Sequence, residues 1–79
     1  MLVKILFFGP TADITGQRRL DLELPLRSKA KDLFEMLVSQ FPLLESRQLH
    51  FAVNEEYATG NEILSDGDEV AIFAAVSGG

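Results

Sequence analysis

Residues 2–8, Leu2-Val3-Lys4-Ile5-Leu6-Phe7-Phe8, form a nearly unbroken apolar run that Gly9-Pro10 cuts off. A short run with turn residues at its end reads as a β-strand. Its near-continuous apolar character suits a buried, central strand with a parallel neighbour. The run carries a lysine and is far shorter than the ~20 apolar residues of a membrane span. It also lacks the basic leader and small-residue cleavage site of a secretory signal.

Outward from this strand, residues 11–17 contain Asp13, Thr15 and Gly16, which suit a turn or one helical turn. From Arg19 to Leu24 the pattern changes: Leu20, Leu22 and Leu24 alternate with Arg19, Asp21 and Glu23, as expected for a second strand with one wet face. The two strands are expected to pair as an antiparallel hairpin. Pro25 closes the second strand and Ser28 is placed to cap a helix. Ala30, Leu33, Phe34, Leu37, Val38 and Phe41 then recur at helical spacing, and Pro42 ends the helix. Arg27, Lys29 and Lys31 crowd its start, where the helix dipole disfavours each positive charge by a few tenths of a kcal/mol. Solvated surface and contact with an anionic partner both fit these three residues.

After a connector at Leu43 to Gln48, Leu49 to Val53 reads as a third strand, Asn54-Glu55 as a turn and Tyr57-Ala58 as a short strand. Asp66-Gly67-Asp68 is the strongest turn signal, and the last strand, Glu69 to Phe73, follows it. Strand, strand, helix, strand, short strand, strand is the order of an α+β, β-grasp (ubiquitin-like) fold. This is a mixed sheet of about five strands with one main helix, its first and last strands parallel and central.

Length and composition agree with one such domain. The 79 residues are 47 % hydrophobic and 24 % charged, which is enough for a small core and too few for two domains. Residues 1–79 are therefore read as one domain with a flexible C-terminal tail over 74–79. Twelve Asp and Glu against seven Lys and Arg give a net charge of −5, opposing a nucleic-acid footprint. A soluble, cytoplasmic protein is expected. Arg47 is the one basic residue among 41–79, against seven acidic ones. That imbalance is either a solvated acidic surface or a docking face for a basic partner.

The residue inventory excludes most chemistry. There is no cysteine to act as nucleophile, metal ligand or disulfide partner, and His50 is the single histidine. His50 is read as structural or surface, and no metal site is expected. The serines lack a nucleophile motif, and Gly9 and Gly16 fit neither phosphate-binding loop spacing. Glu55-Glu56 and Asp66/Asp68 sit in turn segments, where acidic residues serve the backbone. What remains is the end of the sequence, Ala74-Ala75-Val76-Ser77-Gly78-Gly79. Two glycines without Cβ atoms let the backbone thread a narrow channel and leave a terminal carbonyl open to attack. A carboxylate is a poor electrophile until a nucleotide-activating partner converts it to a mixed anhydride, which a sulfur or amine nucleophile can then displace. Besides such a substrate tail, a plain floppy terminus fits the same residues.

Asp66-Gly67-Asp68-Glu69-Val70-Ala71-Ile72-Phe73 followed by Val76-Ser77-Gly78-Gly79 resembles the C-terminus of the small subunit of molybdopterin synthase, the MoaD-type sulfur carriers. Leu6-Phe7-Phe8-Gly9 and Phe51-Ala52-Val53-Asn54-Glu55-Glu56-Tyr57 resemble that family too, so the resemblance covers essentially the whole chain. It implies that a MoeB-type enzyme adenylates the Gly79 carboxylate with ATP and that a persulfide sulfur donor converts it to a thiocarboxylate. It further implies that a MoaE-type large subunit, which holds the catalytic site, transfers the sulfur to precursor Z (cyclic pyranopterin monophosphate) in molybdenum cofactor biosynthesis. The chain itself would bind no cofactor and would not be an enzyme alone. Gly79 would carry the sulfur, Gly78 would give clearance, and Val76 and Ser77 would seat the tail. Phe73 matches a position that packs on the large subunit, and the synthase would be a heterotetramer. Two departures stand out. Ala74-Ala75 replaces a frequent Pro-Pro pair, which makes the tail less stiff and costlier to order; and Ala12 stands where an arginine is often found. Thiamin-type sulfur carriers and ubiquitin-like modifiers share the Gly-Gly end and remain alternatives, as does a non-covalent binding module.

Overall fold

A computed structural model describes residues 1–46 and 48–74. Its elements are strand β1 (Leu2–Phe7), a short helix α1 (Pro10–Thr15), strand β2 (Arg19–Glu23), helix α2 (Ala30–Gln40), a 3-10 turn (Pro42–Ser46), and strands β3 (Leu49–Val53), β4 (Glu56–Tyr57) and β5 (Glu69–Ala74). The strands make one mixed sheet in the order β2-β1-β5-β3-β4. β1 and β5 are parallel neighbours at its centre, with Lys4 to Phe7 in register with Glu69 to Ile72. β2 pairs antiparallel with β1, and β3 pairs antiparallel with both β5 and β4. This is the expected β-grasp arrangement.

The core lies between one face of the sheet and α2. Val3, Ile5 and Phe7 of β1, Val70 and Ile72 of β5, and Leu33 and Leu37 of α2 are buried there. Each such side chain stabilises the fold by about 1.5–3 kcal/mol relative to exposure, before entropy is counted. The connector expected after Pro42 is instead the 3-10 turn, which inserts Leu44 into the same core.

The parallel pairing is latched at its start. The Asp66 carboxylate accepts the Leu2 N–H at 2.7 Å, and Gly67 N–H donates to the Leu2 carbonyl at 2.8 Å. Gly67 has φ 86°, a left-handed conformation that glycine adopts without a Cβ penalty. The turn read from Asp66-Gly67-Asp68 therefore also sets the register of the two central strands.

Three expectations are corrected. Ser28 does not cap α2: its hydroxyl donates to the Pro25 carbonyl at 2.7 Å, and Lys29 occupies the N-cap position. The exposed amides of the first turn are met by tertiary partners, Ala30 N–H by the Glu62 carbonyl and Lys31 N–H by the Gly60 carbonyl, both at 2.9 Å. The first strand, expected to be buried, is buried on one face only: among the described residues a single helical layer covers the sheet, and Leu2 and Phe8 are about half exposed on the other side, at 49 % and 51 %. Ala74 does not begin a tail, because it is the last residue of β5 and pairs with Leu49. The remainder of the expected tail, Ala75 to Gly79, lies outside the described residues.

Candidate functional site

The face of the sheet turned away from α2 is set by strand alternation. On β1, Val3, Ile5 and Phe7 point to the core, so Leu2, Lys4 and Leu6 point outward, with half-exposed Phe8 following. On β5, Val70 and Ile72 point inward and Glu69, Ala71 and Phe73 outward. Register then aligns residues across the open face: Arg19, Leu6, Ala71, Ala52 and Tyr57 form one row. His50 is opposite Phe73 in the next row, and Phe8 N–H donates to the Ile72 carbonyl at 3.0 Å, bringing Phe8 alongside.

Phe73 is the centre of this surface. Its ring lies 5.9 Å from that of His50 and 5.9 Å from that of Tyr57, the latter edge-on. Edge-on aromatic packing at this separation is favourable. Tyr57 is 80 % exposed, so a large aromatic side chain is presented to solvent beside Phe73. The apolar surface therefore gathers at the end of the sheet where β5 finishes. Beside it, the end of β1 and α1 enclose an open groove of about 600 Å³ lined by Leu6, Phe8, Gly9, Ala12, Asp13 and Arg18. Ala12, the departure noted in sequence, thus lines a groove that Arg18 also reaches.

The carboxylates singled out in sequence belong elsewhere. Asp68 accepts from Asn54 Nδ2 at 3.0 Å and from Ser65 N–H at 2.7 Å, and Asp66 is engaged with Leu2. They serve turns at the opposite end of β5 from Phe73; Glu55 lies in the β3–β4 turn, and Glu56, opposite Val53, opens β4. Among the described residues, no group of three or more His, Asp or Glu stands close enough to hold a metal ion. No described helix is long and apolar enough to cross a membrane. Hydrogen bonds from the Thr59 N–H, at 2.7 Å, and then from nearby amides that include Gly60 N–H hold the Glu62 carboxyl below its usual pKa of 4.5.

The ThiS family model matches residues 5–79. The chain belongs to the ThiS family. Within that family it groups with molybdopterin synthase sulfur carrier subunits. The one from Arabidopsis thaliana is 37 % identical over 79 residues, spanning 98 % of this chain and 82 % of the relative. SAMP1, small archaeal modifier protein 1, from Haloferax volcanii superposes with a TM-score of 0.87 at 27 % identity, covering 100 % of both chains. A chain from the complex of subunits 1 and 2 of the Helicobacter pylori molybdopterin-converting factor gives a TM-score of 0.72 at 27 % identity, again over 100 % of both chains.

In this ThiS-family chain the residues expected to act divide in two. Phe73 and Ala74 are placed at the end of β5, on and beside the aromatic surface, whereas Ala75, Val76, Ser77, Gly78 and Gly79 lie outside the described residues. The sequence singles out Phe73 and does not show that Leu6, Ala71 and Tyr57 share its face. The signal was present in the parity of β1: a strand with only one covered face has no internal reason to carry Leu6 and Phe8 on the other.

Proposed function

We propose that this chain is the sulfur carrier subunit of a molybdopterin synthase and that Gly79 carries the sulfur as a thiocarboxylate. The observation that carries the reading is similarity over nearly the full chain to a molybdopterin synthase sulfur carrier subunit at 37 % identity. The fold adds a physical rationale. A small domain with an apolar, aromatic face at the end of its last strand can dock on a larger protein while the residues after that strand reach into the partner's site.

In the proposed cycle a MoeB-type enzyme binds ATP, and the Gly79 carboxylate attacks the α-phosphorus and expels pyrophosphate. A persulfide sulfur then displaces AMP from the acyl-adenylate, and a second thiol cleaves the acyl disulfide to leave the thiocarboxylate. A MoaE-type large subunit receives Val76, Ser77 and Gly78 in its catalytic site, with Phe73 packed on its surface, and sulfur passes to precursor Z. The complex of subunits 1 and 2 from Helicobacter pylori supports a large-subunit partner. A heterotetramer with two carriers supplies the two sulfurs of the dithiolene, and the cycle runs in the cytoplasm. With no cysteine in the chain, no internal thiol competes for the activated carbonyl.

Intact mass spectrometry tests this. The chain incubated with ATP, an activating enzyme and a sulfur source should gain ~16 Da as one carboxylate oxygen is replaced by sulfur. A chain lacking Gly79 should fold and gain nothing; if it still supported molybdopterin synthesis, the reading would fail. Recovery of a thiazole synthase as the partner would favour a thiamin-type carrier, and adducts on substrate lysines would favour a protein modifier.

A further inference from the structure

We propose that Thr11 is a positioning residue for the end of β5 that presents Phe73 to a partner, its hydroxyl anchoring the last point at which β5 is tied to β1. The inference rests on the reading of Gly79 as the reactive end. Thr11 is fully buried in α1, although most threonines are surface residues. Its Oγ1 lies 2.7 Å from the Phe8 carbonyl oxygen and 3.1 Å from the Ile72 carbonyl oxygen. Both carbonyls are acceptors and a hydroxyl has one proton, so that proton is shared between the ends of the two central strands. Each carbonyl already has a backbone donor: Phe8 N–H reaches Ile72 at 3.0 Å and Thr11 N–H reaches Phe8 at 3.3 Å. The hydroxyl is therefore not required to satisfy either oxygen, and what it adds is a link from α1 across to β5.

The location gives the link its consequence. The β1–β5 register ends at Phe7 and Ile72, whereas β5 continues beside β3 through Phe73 and Ala74. Ile72 is thus where β5 loses its neighbour on one side, and Thr11 holds the peptide at that point. Phe73 and Ala74 are held by β3 alone, so fixing β5 on its β1 side at Ile72 limits how far this end of the strand can swing, and so the entropy lost when a partner takes it up. Such an effect falls on binding of the carrier and not on the chemical step.

Thr11→Val keeps the shape and removes the hydroxyl; Thr11→Ser keeps the hydroxyl, and Thr11→Ala replaces Thr11→Val should the latter not fold. With the full chain and an adenylating enzyme, Thr11→Val should raise KM for the carrier about fivefold, the typical worth of one hydrogen bond, with kcat unchanged and Thr11→Ser near wild type. Amide hydrogen exchange should accelerate at Phe73 and Ala74 in Thr11→Val and not in Thr11→Ser. An unchanged KM overturns the proposal even if exchange rises, because the hydroxyl is then structural only. If the wild-type chain is not adenylated at all, the Gly79 reading fails, and unchanged exchange in Thr11→Val overturns the anchoring on its own.

Discussion

Glu55 holds φ 70° directly after Asn54 at φ 50°, so the two residues between β3 and β4 make a turn with both central residues left-handed. Such a turn matches the twist of the flanking strands and prefers glycine at its second position, because any Cβ there is strained. The strain is held by side-chain ties: Asn54 Oδ1 accepts Glu69 N–H and Asn54 Nδ2 donates to Asp68 Oδ1, each at 3.0 Å. Glu55→Gly should accordingly stabilise the protein by about 0.5–1 kcal/mol, the relief of strain being partly offset by a freer unfolded chain. Urea unfolding checks this as a higher midpoint at unchanged slope. That a turn lies at Asn54-Glu55 is legible in sequence, since asparagine tolerates this geometry. Its type is not, because the tie to Asp68 is fourteen residues away. Phe73 is singled out in sequence by a motif at the end of a strand, whereas its ring partners His50 and Tyr57 come from two other strands that only the register brings to it.

Helix α2 shows the same division one level up. Its existence and length were readable from the apolar spacing, but its start was not, because Ser28 suits a cap by residue type and tertiary contacts took over the role. Those contacts come from the segment 60–64, where the carbonyls of Gly60 and Glu62 meet the helix amides and Leu64 N–H returns a bond to the Ser28 carbonyl at 2.8 Å. Two first-turn amides are thus occupied by backbone carbonyls beside the Lys29 and Lys31 charges. Asp32, whose carboxylate accepts Lys29 N–H at 2.8 Å, supplies the negative charge that the dipole favours. The 60–64 segment in turn is shaped by Glu62, whose ionised carboxylate gathers the amides of Thr59 and Gly60. Because its pKa is lowered in the folded state, Glu62 contributes stability that is complete above the ordinary value of 4.5 and is lost as pH falls through the lower folded value. Glu62→Gln should therefore lower the urea midpoint at neutral pH, and the gap from wild type should narrow as the pH drops below 4.5. A gap independent of pH would show that the carboxylate charge is not what orders this loop.

At the scale of the molecule, one helical layer on a five-stranded sheet leaves one covered face and one open face, and equal truncations on the two faces should have unequal consequences. Leu37 is fully buried between α2 and the sheet, so Leu37→Ala removes buried contacts and leaves a cavity, costing about 2–5 kcal/mol of stability. Phe73 lies on the open face, where it touches His50 and Tyr57 and solvent can fill the space it vacates. Phe73→Ala should leave the urea midpoint close to wild type while weakening association with the large subunit at least tenfold, as for an aromatic at the centre of an interface. Tyr57→Ala, at the rim of the same surface, should weaken association less. Calorimetric titration against the large subunit, paired with unfolding of each variant, separates the two effects. If Phe73→Ala lost stability as Leu37→Ala does and bound normally once folded, the open face would be a structural layer and the docking surface would have to lie elsewhere. The acidic residues enter the same experiment. Asp66 and Asp68 hold turns at the end of β5 away from Phe73, and Glu55 lies in the turn that follows β3, so the contribution of these charges belongs to encounter and not to the packed aromatic contact. Association should therefore slow as salt is raised, while the Phe73→Ala loss, carried by desolvated aromatic contact, persists at high ionic strength.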